Sequence, residues 1–200
     1  MIENLLAFYA KALPTERAQA RWYHTAHDEC KSVAYELGVP FKHFVFAVAA
    51  LSPGCYWERN ILGVEQLVTE GDTGYGYRRN RAKALECLAG NLQALRGPKV
   101  TRFAANILDP DQHAYDVVVD MWAWRAWEGV VIGEAKSLTP KQYEAIAEGY
   151  VSAAKQVGLT PSAFQAVVWT VTRRLGKSAL LEQRLERNRE KRQAKVSGAN

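Results

Sequence analysis

The sequence predicts an all-α fold. Three observations carry the prediction: apolar residues recur every three or four positions along most of the chain, proline opens several of these runs, and glycine closes others. The first run has Ile2, Leu5, Leu6 and Tyr9 at helical spacing and ends near Leu13-Pro14. Pro14-Thr15-Glu16 opens a second helix, with Trp22, Ala26, Cys30, Val33 and Leu37 inward, which stops at Gly38 before Pro40. Phe41 to Leu51 is apolar on nearly every side, the mark of a central buried helix, and Ser52-Pro53-Gly54 breaks it. Trp57 to Glu70 follows, with Ile61, Val64, Leu67 and Val68 in phase. Three glycines make Gly71 to Gly76 a loop, and Arg78 to Leu88 is a basic helix ending at Gly90. Asn91 to Leu95, a turn at Gly97 and Lys99 to Leu108 read as helix–turn–helix. Asp120 to Trp127 starts another helix, and Gly129 to Gly133 is a turn or short extended piece. Thr139-Pro140 caps a helix to Val157, with Tyr143, Ile146, Ala147, Tyr150 and Ala154 inward. Thr160-Pro161 caps the next, to about Leu175.

From Leu181 onward the character changes to a charged helix with a weak apolar face, in which cations outnumber anions. The expected organisation is a single helical domain over 1–176 and a charged C-terminal helix or tail over 177–200. The tail reads as a solvated terminus, or as a basic arm for phosphates.

Composition narrows the function classes. With 48% hydrophobic and 24% charged residues, a 200-residue chain can bury a core without staples. Its net charge of +5 is a mild pointer to a polyanionic partner. The three cysteines, Cys30, Cys55 and Cys87, are odd in number and lack C-x-x-C spacing. With His24, His27, His43 and His113 scattered, they draw no disulfide framework and no metal motif, so no metal and no cofactor is expected. The longest apolar run, Phe44 to Leu51, is far short of the ~20 residues of a membrane span. Glu3 early and Lys11 late do not read as a leader. A soluble, cytoplasmic monomer is expected.

Two blocks carry chemistry. In the first, Leu95-Arg96-Gly97-Pro98-Lys99-Val100-Thr101-Arg102, a tight turn places backbone N–H groups at a helix N-terminus, which suits a phosphate oxygen. Gly97 permits unusual φ, Pro98 fits a first helical position, and Lys99 and Arg102 add positive charge. An ordinary C-cap glycine before a new helix explains the same residues. In the second block, the β-branched run Val117-Val118-Val119 ends in Asp120, a carboxylate at the edge of an apolar base. It can cap the following helix, or serve as a fixed carboxylate that stabilises a cationic transition state or orients a water.

Together the blocks resemble the helix-hairpin-helix (HhH-GPD) DNA glycosylase superfamily. Leu95 and Gly97 match the start of its hairpin; Val119, Asp120 and Arg125 match its V-D-x-H-x-x-R block about twenty residues later. A closer resemblance is to small phage-encoded glycosylase-like proteins. It is carried by Leu51-Ser52-Pro53, Trp57-Glu58-x-Asn60, Gly97-Pro98-Lys99-Val100, Val119-Asp120 and Gln165-Ala166-x-x-Trp169. The resemblance implies a helical fold with a hairpin and a cleft between two halves, and DNA with a flipped base as partner. It implies the cytoplasm of a host cell if the chain is phage-encoded. It makes Asp120 the catalytic aspartate and Lys99 a candidate nucleophile. An alignment anchored on Leu95 and Gly97 instead gives the lysine position to Thr101 or Arg102. Leu95, Gly97, Lys99, Val100, Thr101, Arg102 and Arg125 become DNA contacts by the same resemblance. The chain departs from the pattern at the second hairpin glycine and at Trp122, which stands where a histidine is usual; no cysteine follows Cys87, so the four-cysteine cluster loop is absent.

Trp57, Asn60, Trp122, Trp124, Gln165 and Trp169 are candidates for a base pocket, where aromatics stack on a flipped base and amides read its polar edge. Tryptophans at helical spacing also serve as plain core. The expected activity is excision of a damaged or modified base, with or without strand cleavage. The alternatives are an enzyme that modifies bases or nucleotides on the same scaffold, and a DNA-binding module without catalysis.

Overall fold

The computed structural model describes residues 1–134 and 137–197, and among them finds helices and no strand. The helices are α1 (Ile2–Ala10), α2 (Pro14–Arg17), α3 (Trp22–Glu36), α4 (Phe41–Leu51), α5 (Trp57–Thr69), α6 (Arg78–Leu88), α7 (Pro98–Leu108), α8 (Met121–Glu128), α9 (Pro140–Gln156) and α10 (Pro161–Ser197). The all-α class is therefore as the periodicity indicates.

Two apolar cores organise them. The first gathers α3 to α7 around α4, whose Phe44, Val45, Ala47, Val48, Ala49 and Leu51 are sealed from solvent. The second gathers α1, α8, α9 and α10 around Leu5, Tyr150, Phe164 and Val168. Removing such side chains from water is worth about 1.5–3 kcal/mol each. The extended segment before α8 belongs to both cores: Val118 sits in the first, Val117 and Val119 in the second. Successive side chains of an extended chain point to opposite faces, so three valines join two halves.

Three sequence expectations are corrected. The helix expected over 14–37 is α2 and α3 separated by a 3₁₀ turn, Ala18–Arg21. α2 is tied to α10 whereas α3 packs into the first core, and the tighter turn changes direction between them. The helix expected over 91–95 is only a 3₁₀ turn, Leu92–Ala94, after the Gly90 break. The helix expected to end near Leu175 runs unbroken to Ser197 as α10. Gly176 does not stop it. It lets Trp122 and the Val131 carbonyl approach: a Cβ there would meet each at 2.8 Å. What ends at Gly176 is burial, since 177–190 is almost wholly exposed.

The α2–α10 tie is a forked ion pair. Arg174 Nε and Nη2 donate to the two Glu16 carboxylate oxygens at 2.7 and 3.1 Å, and Nη2 also donates to the Lys11 carbonyl. Glu16 is buried and accepts from the Leu13 amide at 2.9 Å. The Arg174 hydrogen bonds hold its carboxyl below the ordinary carboxylate range. A folded-state value below the unfolded one gives stability that is present above the unfolded value and lost as pH falls through the folded one. Arg174→Gln is therefore expected to cost about 2 kcal/mol at pH 7. The gap to wild type should narrow as pH falls through the lowered Glu16 value, as read by urea unfolding. A gap independent of pH would show that the pair does not act through charge.

Candidate functional site

A pocket of about 350 Å³, within the size range of ligand sites, lies where the two halves meet. Arg96, Gly97, Pro98, Lys99 and Val100 form one wall; Val119, Asp120, Met121, Trp124, Leu138 and Tyr143 form the other. The starts of α7, α8 and α9 all border it. Helix N-termini carry partial positive charge and unpaired N–H groups. Asp120 caps α8, and Thr139 with Gln142 caps α9 as a reciprocal box. No side chain caps α7. Its N-cap is Gly97 at φ 99° and ψ 144°, a backbone conformation that glycine tolerates and side chains do not, with Pro98 behind it. The Thr101 amide and hydroxyl both turn back to the Gly97 carbonyl. The Lys99 and Val100 amides at the pocket rim have no acceptor among the described residues.

Asp120 sits half-buried on the facing wall. Oδ1 accepts from the Trp122 and Ala123 amides, and Oδ2 accepts from Trp169 Nε1, each at 2.9 Å. Burial pushes its carboxyl above the ordinary range, against the opposing pull of these donors and of the Lys99 charge. A carboxylate has more lone pairs than these three bonds consume, so it keeps acceptor capacity toward the pocket. Its position is set from behind by two tyrosines. Tyr143 accepts from the Val119 amide at 3.0 Å and donates to the Val117 carbonyl at 3.2 Å, and Tyr150 donates to the Ala123 carbonyl at 3.1 Å. Arg102 lies over the Tyr143 ring and pairs with Glu144 at 2.9 Å.

Asp120, Lys99, Gly97 and Val100 thus share one pocket, as the two-block reading requires. Other expected site residues fall elsewhere. Arg125, expected on DNA, is buried; it donates to the Gly133 carbonyl and lies 4.6 Å from the Trp122 ring. Those contacts commit the Arg125 guanidinium to the Gly133 carbonyl and the Trp122 face. Leu95 is buried in the first core. Trp57 donates to Glu29 and packs against Trp22, and Asn60 is buried on the Val48 carbonyl. Both belong to the first half and do not line the pocket. Gln165 is buried and accepts from the Tyr23 hydroxyl at 3.2 Å. Of the expected base-pocket set, Trp169 alone bonds the Asp120 carboxylate through its side chain; Trp122 does so through its backbone amide. Trp124, a base-pocket candidate, does line the pocket. The sequence reading missed Tyr143, which it treated as plain inward core of α9; no local signal ties that residue to Asp120. Among the described residues no cluster of His, Cys, Asp and Glu is arranged to hold a metal. No single described helix is long and apolar enough to cross a membrane.

A family model matches residues 1–176, the family of unknown function DUF7178. The chain belongs to that family. The match ends at Gly176, where α10 leaves the core, so the family segment and the packed part of the molecule coincide. No curated protein and no solved structure matches the chain.

Proposed function

We propose that this DUF7178 member is a DNA glycosylase-like enzyme that accepts a flipped, damaged or modified base and cleaves its N-glycosidic bond. The observation supporting this most directly is that the Asp120 carboxylate and Lys99 face one pocket whose rim is the uncapped start of α7. The rim amides suit a phosphate oxygen of the gripped strand. As the C1′–N bond breaks, the base leaves with the bonding electrons and positive charge develops on the sugar. A fixed carboxylate in a partly desolvated wall stabilises that charge. Water then adds at C1′ and loses its proton to the carboxylate or the departing base. Where Lys99 is the nucleophile, its amine adds at C1′ in place of water, and sugar ring opening gives an imine that borohydride reduces.

The test is incubation of the full chain with duplex oligonucleotides carrying damaged or modified bases, with and without borohydride. The expected result is an abasic product for at least one base and a trapped adduct that Lys99→Ala abolishes. Base release without an adduct would assign the water route. Failure to release any base, with a new modified nucleoside found by mass spectrometry, would replace excision by base modification. Binding without either product would leave a DNA-binding module.

A further inference from the structure

We propose that Tyr56, Arg59 and Arg173 form a second contact surface for a DNA strand, outside the pocket lining; it rests on the DNA reading above. Tyr56 ends the segment between α4 and α5 and is 53% exposed. Two guanidiniums attend its ring, Arg173 at 5.0 Å and Arg59 at 6.0 Å. Arg173 also lies 4.9 Å from the Trp169 ring, and Trp169 donates to Asp120. The series Arg59, Tyr56, Arg173, Trp169 and Asp120 therefore runs without interruption from solvent to the carboxylate. The next loop brings up Tyr77, 59% exposed, whose ring packs so closely on Gly54 that a Cβ there would meet it at 3.0 Å.

The charge on this surface is uncompensated. The arginine ion pairs of the described residues use Arg81, Arg102 and Arg174; Arg59 and Arg173 enter none among those residues. A guanidinium stacked on an aromatic face keeps its in-plane N–H donors for an oxyanion while its orientation is held. Cations alternating with exposed tyrosine faces match a strand that alternates phosphates with bases. An acidic peptide would use the cations and leave the tyrosine faces idle.

The experiment is fluorescence anisotropy of a labelled duplex across a salt series, using full-length protein. For Arg59→Gln/Arg173→Gln the slope of log affinity against log salt is expected to fall by about one to two. For Tyr56→Ala the slope is expected to hold while affinity for a single-stranded oligonucleotide drops about tenfold. Arg59→Gln alone alters an exposed side chain and controls for folding, together with circular dichroism of each variant. An unchanged slope in the folded double variant overturns the surface even where base release proceeds normally. A reduced slope with no base released by any variant upholds the surface and rejects the glycosylase reading. Wild type that does not bind duplex at low salt overturns both.

Discussion

Asp120→Asn is expected to lower the rate of base release by about 100-fold or more while leaving the molecule folded. A positioned carboxylate contributes about 10²–10⁴-fold to such a step. Asparagine keeps an oxygen for the Trp122 and Ala123 amides, so the start of α8 stays capped. What it removes is the negative charge, and it sets an amide N–H₂ against the Trp169 indole N–H in place of the acceptor. The wild-type pH profile supplies a second reading of the same group. Only the ionised form can stabilise a sugar cation, so activity should fall as pH drops through a value above the ordinary carboxylate range. The stability contribution has the opposite sense. A folded value raised by burial stabilises below the unfolded value and is lost as pH rises through the folded one. Asp120 is thus kept charged at some expense to the fold, and Asp120→Asn is spared that expense. Rates within threefold of wild type for Asp120→Asn would reduce Asp120 to a helix cap.

Gly149→Ala should produce the largest loss of stability, about 3 kcal/mol, near the top of the range for overpacked cores. Gly149 lies in α9 with the Trp127 indole directly upon it. A Cβ would fall 1.9 Å from Cζ3 and 2.6 Å from Cη2 of that ring. Neither a rigid indole nor a helical backbone yields that distance cheaply, so α8 and α9 must separate. Chemical unfolding measures the loss, and Trp127→Leu in the same chain should recover much of it. A single-variant loss below about 0.5 kcal/mol would mean that the two helices do not approach as described.

How much of this was legible beforehand depended on which physical signal each residue carries. Phe41–Leu51, Arg78–Leu88 and Pro140–Gln156 lie within a residue of their expected bounds, because unbroken periodicity and proline or glycine punctuation act locally. A helix start at Lys99 and an apolar run ending in Asp120 were legible as local patterns; that they share a pocket was not, because only the fold brings them face to face. The burial of Arg125 was not legible. Its partner is a backbone carbonyl at Gly133, and any residue type supplies one. The continuation of α10 past Leu175 was not legible for a related reason: the part played by Gly176 is set by Trp122, far away along the chain. Tryptophan identity likewise does not tell packing from function: Trp57 bonds Glu29 and Trp169 bonds Asp120 through the same indole nitrogen.

The three valines shared between the cores have a consequence for how the cleft responds to an occupant. Its walls cannot swing apart as two independent lobes. Any such swing would draw Val118 out of one core, or else draw Val117 and Val119 out of the other and strip Tyr143 of both its backbone partners. The entropy of ordering the pocket is therefore spent when the chain folds and not again when a ligand arrives. The molecule is a fixed die, and whatever enters must supply the bending.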